Sequence, residues 1–253
     1  MFPYALSADA GSLALLPLQI LSVYLQDVLK SKKPYKLVDG VKQRYKAIEL
    51  GAGTGPYPSL PPSHSSSIPA GLLSLSLHAM GYDVVATDTP LIAHGILHSN
   101  LSSNRSTALS APILEARALD WFSPPSSWSW TTSPITPSLS SSPSPSHEAP
   151  LLQPPFDLIL TTDSIYSPTL STPLLRTLHA LSPLSPPIYL SLEVRDPSLI
   201  DEFLESARTE WGFKCSKVEK GRLERLVRGM GWEEEDWEGV EVWKLKWGPG
   251  RKR

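Results

Sequence analysis

The sequence has a single cysteine, almost no net charge and no apolar run long enough to span a bilayer. Cys215 alone cannot form an intrachain disulfide, which favours a reducing compartment, and we expect the protein in the cytoplasm or the nucleus. The 253 residues include 23 basic and 25 acidic side chains, so no excess of positive charge predicts direct binding of nucleic acid. The apolar run at residues 13–25 is interrupted by Pro17 and Gln19, and it predicts a core-facing helix rather than a membrane anchor.

Proline and serine are abundant, and they are concentrated in two segments that carry almost no charge. Residues 56–69 contain five prolines and five serines, and residues 123–155 contain nine prolines and eleven serines. Such segments bury too little apolar surface to offset the entropy lost on ordering. We therefore predict two flexible insertions within a single domain that spans residues 1–253 and ends in a short basic tail at residues 248–253.

Outside these insertions, short apolar strands alternate with helices. The predicted strands lie at residues 46–51, 83–88, 113–121, 156–163 and 187–195, and the predicted helices lie at residues 71–81, 89–101, 170–181 and 197–210. This alternation predicts a doubly wound α/β fold, with a mostly parallel sheet and helices on both faces. Two further strands, at 212–219 and 239–247, bring the sheet to seven strands, and we expect the C-terminal one to be an antiparallel edge strand.

A glycine-rich turn follows the first of these strands. Its sequence is Glu49-x-Gly51-Ala52-Gly53-x-Gly55, and its glycines allow a ligand to approach the backbone closely. The dinucleotide fingerprint G-x-G-x-x-G fails, because a proline stands where the third glycine is required. A G-x-G-x-G turn behind an acidic residue suits S-adenosylmethionine better. The alternative is a tight strand-to-helix turn that binds no ligand.

Carboxylates also stand at the ends of the next two strands. Asp88 ends the second strand, where a carboxylate can accept hydrogen bonds from both ribose hydroxyls of a nucleotide-like cofactor. The alternative for Asp88 is a helix N-cap. Asp120 and Trp121 follow the third strand, where they could bind an adenine amino group and pack beside its ring. The alternative for Trp121 is simple packing in the core.

The fourth strand ends at Thr162 and Asp163, and Tyr166 follows three positions later. An acidic residue with a phenol three positions later can face a transferred group and an incoming nucleophile, while Thr162 is expected on the cofactor side. The alternative for Tyr166 is packing. No metal site is predicted.

The motifs IELGAGTG, VVATD, LDW and DLILTTDSIY, in this order, resemble those of the seven-β-strand lysine methyltransferases called methyltransferase family 16. The resemblance covers roughly residues 13–247 apart from the insertions, and the D-x-x-Y of that family is matched by Asp163 and Tyr166. It implies S-adenosylmethionine as the cofactor, a lysine of a protein partner as the acceptor, and a role for both residues in orienting the amine.

Two departures from the family pattern bear on these expectations. The chain begins almost at the first helix, without the short β-element that usually precedes it, and the proline-serine insertion separates the glycine turn from the following helix. Two other functions therefore stay open: methylation of a small-molecule amine or a protein N-terminus, and a binding scaffold without catalysis. We expect a monomer that binds no membrane.

Overall fold

The structure of the protein is a computed structural model that describes residues 16–53, 70–105, 108, 110–136 and 151–248. The predicted insertion at 56–69 and all but the first residue of the predicted tail lie outside the described residues. None of the helices in the described ranges has the length and apolar character needed to cross a membrane.

Nine strands and seven α-helices make up most of the described part of the chain. The strands are β1 Tyr35–Val38, β2 Val41–Arg44, β3 Lys46–Leu50, β4 Asp83–Asp88, β5 Leu114–Ala118, β6 Leu158–Thr162, β7 Ile188–Glu193, β8 Phe213–Lys217 and β9 Val240–Trp247. The helices are α1 Leu16–Leu29, α2 Leu72–Ala79, α3 Pro90–Ile92, α4 His98–Asn104, α5 Pro168–Ala180, α6 Pro197–Thr209 and α7 Lys220–Arg228. A wider π-helical turn, Ala93–Leu97, joins α3 to α4, so the helix predicted at 89–101 is interrupted.

Seven strands form one sheet in the order β5-β4-β3-β6-β7-β9-β8. The pairs among β5, β4, β3, β6 and β7 are parallel, and β9 pairs antiparallel with both β7 and β8. The doubly wound, mostly parallel sheet is therefore confirmed, with its antiparallel pairing at the β8 end. The last strand runs antiparallel as expected, but it inserts between β7 and β8, so β8 takes the edge position.

Helices cover the sheet on both faces, because the central parallel strands are apolar on both sides. On one face α1, α2 and α7 bury Leu21, Leu77 and Val227, and on the other face α5 and α6 bury Leu178 and Phe203. The predicted core-facing first helix is thus confirmed, as α1.

The predicted flexible insertion at 123–155 is wrong for its described parts, 123–136 and 151–155. Ile135 is fully buried and Leu152 nearly so, while Trp128 and Trp130 pack against the core. The proline-serine composition concealed these few large apolar side chains, which bury enough surface to order the segments around them.

A buried arginine holds these segments against strand β5. The side chain of Arg117 is 1% exposed, and its guanidinium donates hydrogen bonds to the carbonyl oxygens of Leu152 at 2.8 Å, Trp130 at 3.0 Å, and Thr132. The backbone N–H of Ile135 donates to Ala118 O at 2.9 Å, so the segment also covers the open edge of the sheet.

A separate hairpin, β1–β2, was missing from the predicted elements. Its turn is Asp39-Gly40, with φ of +50° and +79°, the positive values that a type I′ turn requires at both central residues. An Asp-Gly pair between two short strands is a strong hairpin signal, so the sequence carried this information.

Candidate active site

The predicted site residues lie where the order of strands in the sheet reverses. The chain passes from β3 outward to β4 and β5, and then returns to place β6 on the other side of β3. Parallel strands present their carboxyl ends at one edge, and ligands of open α/β sheets bind outside that edge at such a reversal. The glycine turn leaves β3 there, between the segments that follow β4, β5 and β6.

The turn after β3 has no room for side chains at its glycines. Gly51 has φ of +69°, and a Cβ atom there would lie 3.2 Å from Ser164 Oγ and 3.3 Å from the Trp121 ring. A Cβ atom on Gly53 would lie 2.1 Å from Ile92 Cγ2, which is far inside van der Waals contact. The turn is therefore packed against the segments after β4, β5 and β6 at once, and both glycines are required by geometry.

Backbone hydrogen bonds join the turn to its neighbours. The N–H of Ala52 donates to Thr87 O at 2.9 Å, and Ala52 O accepts from the N–H of Gly71 at 2.7 Å. The start of α2 thus returns directly to the glycine turn. Gly55 lies outside the described residues, so its predicted role stays a prediction.

Asp88 joins the end of β4 to the glycine turn. Its Oδ2 accepts the N–H of Gly53 at 2.9 Å, and its Oδ1 accepts the N–H of Thr89 at 2.7 Å. Burial raises the pKa of this carboxyl group above its usual range, against the opposing effect of these bonds. The alternative role of Asp88 as a helix cap is wrong, because the cap position of α3 is held by Thr89.

Glu49 lies beneath the turn and is completely buried. Its Oε2 accepts both the N–H of Ser74, at 3.0 Å, and the Ser74 hydroxyl, at 2.5 Å, so it anchors the first turn of α2. Its Oε1 has no hydrogen-bond partner among the described residues. Burial raises the pKa of Glu49 to about 7. An acidic side chain is favoured at this end of a helix, where backbone N–H groups lack partners.

Asp120 and Trp121 shape the loop after β5. Asp120 Oδ1 accepts the N–H of Phe122 at 2.9 Å, and Arg176 donates to Trp121 O at 2.7 Å. The indole of Trp121 lies against Gly51, and its buried Nε1 has no hydrogen-bond partner among the described residues. Trp121 thus packs beside the glycine turn and against the core, and its place beside an adenine ring stays a prediction, whereas the Asp120 carboxylate is partly engaged within its own loop.

Asp163 and Tyr166 follow β6 on the other side of the turn. Asp163 has φ of +49°, an uncommon conformation for a non-glycine residue, and its Oδ2 accepts a hydrogen bond from Arg195 at 3.1 Å. Burial raises the pKa of the Asp163 carboxyl group, and the positive charge of Arg195 opposes that rise. Thr162 is half-buried at the strand end, where its carbonyl oxygen accepts the Ser164 hydroxyl at 3.1 Å.

Tyr166 is 51% exposed, so the alternative of simple core packing does not describe it. Burial raises the pKa of its phenol, and the negative charges of Asp88 and Asp163 raise it further. The phenol therefore lies within electrostatic reach of both carboxylates. The arrangement brings the segments after β4 and β6 to one cleft.

Solved structures share this architecture. The methyltransferase domain of bacterial CtHen1-C superposes with a TM-score of 0.51 over 94% of this chain and 100% of that chain, at 10% identity. The YcgJ protein from Bacillus subtilis superposes with a TM-score of 0.50 over 91% of this chain and 99% of that chain, at 8% identity. The chain has a class I methyltransferase fold.

Other comparisons do not identify a narrower family. The chain spans 54% of the CurJ carbon methyltransferase chain, with a TM-score of 0.47 and 13% identity over 90% of this chain, which is too weak a likeness to support an argument. No model of a known protein family matches the chain, and no curated protein matches it. The likeness therefore establishes the methyltransferase fold. The cofactor and the acceptor are argued from the residues of the site.

Three residues of this methyltransferase fold escaped the sequence analysis. Ser164 is buried and shares a 2.6 Å hydrogen bond with Thr161 directly under Gly51. Arg195 donates to Glu193 Oε2 at 2.7 Å as well as to Asp163. Glu193 is the last residue of β7, and Arg195 follows that strand. Applying the strand-end rule to the fifth parallel strand would have found Glu193 and Arg195. In the described part of the chain, no three His, Cys, Asp or Glu side chains form a possible metal site.

Proposed function

We propose that this protein is an S-adenosylmethionine-dependent methyltransferase whose acceptor is the amine of a lysine side chain in a protein. The observation that carries the proposal is the contact between the glycine turn and the segment after β6. Ser164, which follows Asp163, lies 3.2 Å from the position of a Cβ atom on Gly51. A cofactor held by the turn would therefore have its reactive end beside Asp163 and Tyr166.

The residues at the strand ends fit this cofactor. The turn at Gly51 and Gly53 offers backbone without side chains, which suits an amino acid moiety, and Asp88 is a partly desolvated acceptor that suits ribose hydroxyls. The buried Nε1 of Trp121 and Oε1 of Glu49 are polar atoms without partners among the described residues, and such atoms are costly unless something satisfies them. Asp88, Asp120 and Trp121 would hold the nucleoside, and the turn would hold the amino acid.

The acceptor side contains charges of both signs, with Asp163 and Glu193 paired to Arg195. When bound, the cofactor supplies an electrophilic methyl group on a sulfonium, and transfer forms a C–N bond as the C–S bond breaks, with the amine proton released to water. A free lysine has a pKa of ~10.4, so the site must favour the neutral amine. The guanidinium of Arg195, held beside Asp163 at 3.1 Å, disfavours a second cation nearby. Asp163 and Tyr166 would orient the amine without acting as a dedicated base.

The test is transfer of tritium from methyl-labelled S-adenosylmethionine into a cell lysate by the purified full-length protein. We expect discrete labelled protein bands, and acid hydrolysis of those bands should release labelled methyl-lysine. Asp88→Ala serves as the matched inactive control, because it should weaken cofactor binding by about 1–3 kcal/mol. Label only in small molecules, or at protein N-termini, would replace the lysine acceptor. If the wild type transferred no more label than the Asp88 variant, the result would support a binding scaffold without catalysis.

A further inference from the structure

Three large exposed apolar side chains lie in segments that leave the carboxyl ends of the parallel strands, the end of the sheet that carries the candidate site. Leu91 is 84% exposed, Phe122 is 58% exposed and Tyr166 is 51% exposed. Single exposed apolar residues are ordinary on protein surfaces. These three, however, each come from a different segment that follows a parallel strand, namely β4, β5 and β6. We call them the apolar rim.

Hydrogen bonds and packing contacts hold the segments that carry Phe122 and Leu91. Phe122 donates its N–H to Asp120 Oδ1 at 2.9 Å, and its carbonyl oxygen accepts from Arg176 at 3.0 Å. The residue before it, Trp121, is tucked against Gly51. Leu91 has the same relation to its neighbour, because Ile92 is packed against Gly53. In both pairs one side chain packs on the glycine turn while the adjacent one points into water.

The rim draws on three separate segments of the chain. Leu91 lies in α3, Phe122 in the loop after β5 and Tyr166 in the loop after β6, and these last two loops meet at Gly51. A stretch of polypeptide can place a side chain against each segment while its lysine enters the cleft between them.

The charges inside the rim complement a cationic segment. Asp88, Asp163 and Glu193 carry negative charge, and Arg195 is the cation that pairs with the last two. In the loop after β5, Asp120 adds a negative charge and Arg176 a positive one. Four carboxylates thus stand against two guanidinium groups, and the cleft is negative overall while its margin is apolar. A lysine flanked by apolar residues matches both features.

We infer that the apolar rim is the docking surface for the protein acceptor, and that it selects a segment in which bulky apolar side chains flank the modified lysine. The inference rests on the proposed function and extends it to the acceptor sequence. Apolar contacts of this kind tighten binding without entering the chemical step, so they act on kcat/KM through KM.

The test compares two double variants of the full chain. Leu91→Ala/Phe122→Ala removes two rim side chains. Leu37→Ala/Leu184→Ala is the control and removes two exposed leucines, at 69% and 70%, that lie in β1 and in the loop before β7. Calorimetry with S-adenosylmethionine should give wild-type affinity for both variants, and thermal unfolding should be unchanged because all four side chains are exposed.

Initial rates of tritium transfer into labelled lysate bands, measured over a series of lysate dilutions, give the deciding result. We expect kcat/KM to fall about tenfold or more for the rim variant and to stay at the wild-type value for the control variant. Equal labelling by both variants would overturn the docking surface while leaving the methyltransferase in place. Label confined to small molecules would also overturn it. Absence of label from the wild type would instead defeat the proposed function, and the docking surface with it.

Discussion

Two buried charged side chains show how differently two regions of this molecule are built. Glu49 lies under the glycine turn, and Arg117 lies at the sheet edge beneath the segment that follows β5. Both are about 1% exposed or less. The terminal nitrogens of Arg117 donate to carbonyl oxygens of distant segments, and its guanidinium lies 5.5 Å from the centroid of the Trp130 ring. Glu49 is held only by Ser74. Among the described residues, neither Arg117 Nε nor Glu49 Oε1 has a hydrogen-bond partner.

The difference separates a region that a buried charge ties to distant parts of the chain from one that, under the proposed function, binds the cofactor. Arg117 ties distant segments to the sheet edge through backbone carbonyl oxygens, whereas Glu49 bonds only Ser74 and has its pKa raised to about 7 by burial. At the sheet edge the charge holds two stretches of irregular chain in place. At the strand ends, Glu49 Oε1 keeps hydrogen-bonding capacity that no described residue uses. The following predictions, in order of decreasing effect, test this contrast.

The largest effect should follow Arg117→Ala. The change leaves the carbonyl oxygens of Leu152, Trp130 and Thr132 buried without their donor, so we expect a loss of about 3–5 kcal/mol in the free energy of unfolding. Denaturant unfolding measures it. Arg228→Ala, at an exposed position of α7, is the control and should lie within about 0.5 kcal/mol of the wild type. Equal effects from the two changes would mean that Arg117 does not hold the insertion.

Gly53→Ala should damage the binding region. Its Cβ atom would lie 2.1 Å from Ile92 Cγ2 and 2.9 Å from Asp88 Oδ2, so the turn or the start of α3 must move. We expect a cost of about 1–3 kcal/mol in stability and a weaker affinity for S-adenosylmethionine. Gly248→Ala is the matched control, since nothing lies within 4 Å of its added Cβ atom. Wild-type affinity in a folded Gly53 variant, measured by calorimetry, would separate the turn from the cofactor.

Glu49→Gln should change how stability depends on pH. The pKa of Glu49 is raised from 4.5 to about 7 in the folded protein, so the stability contributed by its protonated form is complete below pH 4.5 and is lost as pH rises toward 7. The glutamine variant lacks this loss. The difference in the free energy of unfolding, variant minus wild type, should therefore increase by on the order of 2 kcal/mol between these pH values. Parallel pH profiles of unfolding would show that Glu49 keeps an ordinary pKa.

Tyr166→Phe should give the smallest effect, and one confined to catalysis. Losing one hydrogen bond of a neutral group costs about 0.5–1.5 kcal/mol, which corresponds to a two- to tenfold fall in turnover. The affinity for S-adenosylmethionine should not change. A variant that lost cofactor binding and kept its turnover at saturation would move Tyr166 to the cofactor side.

Sequence reasoning located most of the site because the strand ends are marked locally. Asp88, Trp121 and Asp163 each directly follow or end an apolar strand, and the sheet brings such ends together whatever the intervening loops contain. It missed Glu193 and Arg195, although they lie at the end of the fifth parallel strand, where the same local signal applies. It misjudged residues 123–136 because average composition hides a single buried side chain such as Ile135, on which the ordering depends.

The sequence by itself determined the alternation of strands and helices, the glycine turn and the acidic residues at the strand ends, since each of these depends on neighbours within a few positions. The tertiary structure alone decided which polar groups are satisfied. Arg117 finds the carbonyl oxygens of residues 12 to 35 positions away, and β9 inserts between β7 and β8, because burial and pairing depend on where distant segments meet. Glu49 Oε1 has no partner among the described residues because the segments packed around it bring no donor to it. No local sequence pattern predicts that arrangement.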